Sequence, residues 1–120
     1  MRALLVCVLM LATGVASADT LATCQAQKQT DDAVQLCVET ARLHSTNQLR
    51  KQSAATRAAV RAKAQSGESQ GLLHDYRRLE ARHVRERNSL CRKQETPLER
   101  DACIADMNEA HGAQLSRLMQ

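Results

Sequence analysis

Glu80-Ala81-Arg82-His83 sets a carboxylate and an imidazole three residues apart, so on a helix both project to one side. Bundles that hold two iron ions use this spacing twice and add two further carboxylates, and the sequence has no second copy. A single match reads as ordinary helix surface and core edge. The remaining histidines, His44, His74 and His111, form no i, i+4 pair with each other or with His83. The cysteines lack Cys-x-x-Cys spacing, so a zinc site is not expected. There is no Gly-x-Ser-x-Gly elbow and no glycine cluster to cradle a phosphate. We assign no catalytic residue, metal ligand or cofactor, and the expected activity is binding.

The cysteines carry a different chemistry. The opening stretch MRALLVCVLMLATGVASADT has a basic start, an apolar run and the small-residue site Ala16-Ser17-Ala18. It reads as a signal peptide (1–18), too short to span a membrane, which leaves a single domain over 19–120 with no further transmembrane span. Cys7 would leave with it, and the remaining Cys24, Cys37, Cys91 and Cys103 are an even set in a short exported chain, the pattern of disulfides. The expected location is periplasmic or secreted. Leu21-Ala22-Thr23-Cys24 loosely resembles a lipobox, but lipidating Cys24 would strand three thiols, so a lipid anchor is disfavoured.

Within CRKQETPLERDAC (91–103), Thr96, Pro97 and Glu99 form a capping box with proline at the first helical position, so a helix starts there. The stretch CQAQKQTDDAVQLC (24–37) is laid out alike: Thr30 and Thr96 each stand seven residues before the second cysteine, and Lys28-Gln29 echoes Lys93-Gln94. The likeness suggests a structural repeat and favours Cys24–Cys37 and Cys91–Cys103 over the other two connectivities. Each bond would close a loop of about 13 residues, worth roughly 3 kcal/mol in the chain-entropy model.

Those staples matter because the interior is poor. Beyond residue 18 there is no Phe or Trp and a single Tyr76, and Leu, Ile and Val together number 16 of 102 residues. Such a chain buries little apolar surface. Apolar positions recur at three- and four-residue steps over 30–64 (Val34, Cys37, Val38, Ala41, Leu49, Ala55, Ala59), which predicts a long helix with a break near Ser45-Thr46-Asn47. A second helix is expected over 71–93, with Leu72, Tyr76, Leu79, His83 and Leu90 on one face. A third starts at Pro97 and carries Ile104, Met107, Leu115 and Leu118, with Gly112 a mild weak point. Nothing alternates with period two. The expected fold is all-α: a small three-helix antiparallel bundle, or a helical hairpin, stapled by two disulfides.

Charge divides the same chain into zones: −3 over 19–39, +6 over 40–67, +4 over 69–94 and −3 over 95–120. A basic middle flanked by acidic ends suits solubility and also suits an anionic partner. Nucleic acid is disfavoured, since only Tyr76 could stack on a base and the net charge is modest.

The cysteine framework resembles the lysozyme-inhibitor-like family of small exported helical four-cysteine proteins, formerly a domain of unknown function. The residues that carry the resemblance are Cys24 and Cys37, Arg87-Asn88 ahead of Cys91, and Cys103 followed by Arg117-Leu118. His83 stands where that pattern has tryptophan, and Asn88 where it commonly has aspartate. The resemblance implies an exported protein that binds lysozyme or another wall-degrading enzyme, its cationic side chains meeting the carboxylate pair of the cleft. The candidates on the second helix are Arg78, Arg82, Arg85 and Arg87. The other reading is an envelope structural or adaptor protein whose basic middle contacts anionic lipid or wall polymer.

Overall fold

The Thr96 hydroxyl accepts from the Glu99 amide at 3.1 Å, while the Glu99 carboxylate accepts from the amides of Glu95 and Thr96 at 3.2 and 3.3 Å. The capping box is closed, and a helix begins at Pro97 as expected. In the computed structural model, which describes residues 19–120, the chain forms α1 (Thr20–Gln27), α2 (Asp31–Gln65), α3 (Gln70–Arg92) and α4 (Pro97–Leu118). The described residues contain no strand. The signal-peptide segment and Cys7 lie outside them.

Three of these helices pack pairwise. α2 turns into α3 through Ser66 to Ser69, where Gly67 takes φ +78°, a conformation side-chain-bearing residues rarely adopt. Contacts between α2 and α4 rise together along the chain, Ser45 to Asn108 and then Gln52 to Gly112 and Ser116, so these two helices run parallel. Contacts between α3 and α4 run oppositely, Glu80 to His111 and Cys91 to Cys103. The core is thus an up-down-up bundle.

The expected three-helix bundle is corrected by α1, a fourth helix. Asp19 caps it by accepting from the Ala22 amide at 3.0 Å, and the Thr20 amide and hydroxyl both donate to Asp106 Oδ1 on α4, at 2.9 and 2.6 Å. Eight residues are too few for a periodic signal. The break near Ser45-Thr46-Asn47 is also absent. Ser45 and Thr46 donate back to the Arg42 carbonyl at 2.9 and 2.8 Å, which satisfies their hydroxyls inside the helix and keeps α2 continuous for 35 residues.

Both disulfides form as favoured, Cys24–Cys37 and Cys91–Cys103, with Cα separations of 5.8 and 5.4 Å. They staple α1 to α2 and α3 to α4 at the same end of the bundle. There Cys24, Val34, Val38 and Ala102 make one apolar cluster with Leu21 and Leu98. At the far end Val60, Tyr76 and Leu115 make a second cluster, covered by Leu49, Leu72, Leu73, Leu118 and Met119.

The inward stripes differ from the expected ones in phase. Leu90, expected on the core face, is 47% exposed, because Cys91 takes the inward position to reach Cys103. Ala55 is exposed as well, and α4 buries Ala102, Ala105, Asn108, His111 and Leu115. Gly112 is a site of close approach: its carbonyl accepts from Gln52 Nε2 at 2.8 Å. Leu115→Ala is expected to lower unfolding stability by about 3 kcal/mol, and Leu90→Ala to change it by less than about 0.5 kcal/mol, in urea titrations. Equal losses would place Leu90 in the core after all.

Candidate functional site

Between the two apolar clusters the bundle interior is polar. Ser45 and Thr56 of α2, His83 of α3, and Asn108 and His111 of α4 are all buried there, with Glu80 of α3 half-buried beside them. The Glu80 carboxylate accepts from His111 Nε2 at 2.8 Å and from the Ser53 hydroxyl at 3.2 Å. The Tyr76 hydroxyl donates to the Ser53 carbonyl at 3.2 Å, so Ser53 links two α3 side chains to α2. Asn108 Nδ2 donates to Ser45 and Thr46 at 3.3 and 3.2 Å. The His83 and His111 rings stack face to face, with centroids 4.1 Å apart and planes 4° from parallel.

The Glu80-x-x-His83 motif therefore faces inward, and α4 supplies a second histidine. The geometry is nevertheless that of a stack: parallel rings do not aim their nitrogens at a common point, and Glu80 is occupied by His111. Among the described residues no group of three or more His, Cys, Asp or Glu side chains is arranged to hold a metal ion. The apolar spacing along α3 puts His83 on the core face, as observed, whereas Asn108 and His111 are not among the expected core residues of α4. Their phase with Ala105 and Leu115 along α4 was the signal available.

Outside this layer, α3 sorts the anticipated arginines. Arg78, Arg82 and Arg85 are exposed along one side of the helix, together with Asp75, around a groove of about 370 Å³ whose apolar lining includes Leu79 and Leu118. Arg82 lies 3.9 Å from Glu86, both side chains half-exposed, a separation at which surface pairs contribute little. Arg78 and Arg85 take part in no ion pair among the described residues. Arg87 leaves the row: it is half-buried, on the side of α3 that faces α2, with Nη2 3.4 Å from Asn88 Oδ1.

Comparison with protein-family models, with curated proteins and with solved structures returns no match. Among the described residues no helix is long and apolar enough to cross a membrane.

Burial pushes the His83 pKa down to about 4, helped by the neighbouring His111 and Arg87 and opposed by Asn108 and Glu80. A histidine whose folded pKa lies below its unfolded value of about 6.5 binds protons more readily when unfolded. Stability is therefore complete above about pH 6.5 and falls as pH drops toward 4. Unfolding free energy should decline by about 2 kcal/mol between pH 7 and pH 5 on account of His83. The check is urea unfolding at both values beside His83→Gln, whose decline should be smaller by that amount. A decline of the same size in the variant would remove His83 as the cause.

Proposed function

We propose that the chain is an exported, non-catalytic binding protein that uses the α3 row Arg78, Arg82 and Arg85 to engage carboxylates on a protein partner, with lysozyme or another wall-degrading glycosidase as the specific target. The observation that carries the reading is the row itself: three exposed guanidiniums on one side of one helix, beside an apolar groove. Guanidinium presents a planar fork of donors that matches a carboxylate in two parallel hydrogen bonds, which a lysine cannot do. Glycosidases of this class keep two carboxyl groups within about 5 to 10 Å of each other across the scissile bond. Guanidiniums one turn apart on a helix, at Arg78, Arg82 and Arg85, span a comparable distance. An arginine seated there blocks substrate without any chemistry of its own. Two disulfides suit an oxidising location outside the cytoplasm.

The row favours a locally acidic partner whatever that partner's net charge, since the net positive charge of residues 19–120 would slow approach to a basic enzyme without changing the contacts once formed. Inhibition of a panel of purified lysozymes and wall glycosidases at micromolar protein is the test. At least one enzyme should be inhibited, and Arg78→Glu/Arg82→Glu/Arg85→Glu should weaken that inhibition about a hundredfold, in line with the loss of charged pairs at an interface. A panel left unaffected, together with salt-sensitive sedimentation on anionic vesicles or wall fragments, would replace this reading with that of an envelope adaptor.

A further inference from the structure

A second groove runs along a different side of α3, between it and α2. Thr46, Leu49, Arg50, Ser53, Ala54, Arg57 and Arg61 recur at helical steps on the α2 side, which extends it over about 22 Å at 1.5 Å per residue. It consists of two adjoining depressions of about 380 and 400 Å³, which share Arg57, Glu80 and Val84. The apolar lining includes Leu73, Tyr76 and Val84, the last 45% exposed, and Ala54 and Ala81 leave room for a close backbone approach. At the floor, His83 Nε2 and Asn108 Oδ1 are buried polar atoms without hydrogen-bond partners, on side chains only 7% and 2% exposed.

We propose that this groove docks an acidic amphipathic helix of a partner protein, laid between α2 and α3 as a further helix of the bundle. Charge selects the occupant. Arg50, Arg57 and Arg61 on one wall and Arg77 and Arg87 on the other face a single carboxylate, Glu80, which His111 and Ser53 already engage. Every basic residue lining the groove is arginine, the side chain whose fork fits carboxylates. The guanidiniums are spread along both walls for the length of the groove. That spacing matches carboxylates flanking an apolar stripe, the helix-in-groove mode, and does not match one charged head followed by an alkyl tail. An occupant side chain that hydrogen-bonds His83 Nε2 would give that buried nitrogen the partner it lacks. This surface shares Ala81 alone with the groove beside the Arg78, Arg82 and Arg85 row and does not rest on the reading proposed for it.

The probe is a synthetic amphipathic peptide of about 18 residues, long enough for the groove, with a leucine stripe flanked by glutamates. A scrambled peptide of the same composition, oleate and anionic vesicles serve as comparisons. Binding is read by anisotropy and by amide chemical-shift mapping on the disulfide-bonded chain. The acidic helix should bind with perturbations confined to residues 46–61 of α2, 73–87 of α3 and Asn108 of α4 at the floor. Arg57→Glu/Arg61→Glu/Arg77→Glu should weaken it about thirtyfold, and Arg78→Glu/Arg82→Glu/Arg85→Glu by less than about threefold. Val84→Trp, at a residue that lines this groove and not the one beside Arg78, Arg82 and Arg85, should block it without changing charge. Equal binding of the scrambled peptide, equal loss in the two arginine variants, or binding of oleate or vesicles in place of the peptide overturns the proposal. Self-association that buries the same residues also overturns it, in favour of a second copy of the chain.

Discussion

The hydrogen bond from His111 to Glu80, 2.8 Å long, joins α4 to α3 at the level where the bundle has polar side chains in place of an apolar core. The chain has too few large apolar residues to fill its interior along the whole length of α2. What it has is gathered at the ends, around Val38 and Ala102 at one and Val60, Tyr76 and Leu115 at the other. An unpaired buried polar group is costly, so most of those in the layer are paired, and pairing fixes geometry. Glu80, His111, Ser53, Tyr76 and Asn108 thus set the register of three helices against one another in a way that interchangeable alanines and leucines cannot.

The disulfides answer the same shortage. Both lie at the end whose apolar cluster is built from valines, alanine and a half-cystine, and where two of the four helices begin afresh after short turns. Cross-linking limits the unfolded chain at the end whose apolar side chains are small. The far end, with the one tyrosine and Leu115, has no covalent tie. A fold held in this way keeps little apolar surface for itself and leaves α3 arginine-rich on both exposed flanks.

Much of this architecture was legible in the sequence, and the parts that were not share a cause. The capping box at Thr96 and the cysteine pairing are local patterns, readable because each depends on residues close together in the chain, whereas the turning of Arg87 away from Arg78, Arg82 and Arg85 depends on where α2 packs. The polar layer is not local. Glu80 and His111 are 31 residues apart, and nothing in either helix alone says that a carboxylate on α3 meets an imidazole on α4. An apolar stripe by definition excludes polar residues from the core, so Asn108 and His111 carry no such signal while Leu90 does. α1 was missed because its partner, Asp106, lies 86 residues from Thr20.

The central claim is that the bundle has two halves held by different means, one by disulfides and one by packing, with the polar layer between them. Native-state amide hydrogen exchange, with and without a reductant, addresses it directly. On reduction, amides of α1 and of the first turns of α2 and α4 should lose protection, while those around Val60, Tyr76 and Leu115 keep most of theirs. A uniform loss along all four helices, or no change at the stapled end, would contradict the account.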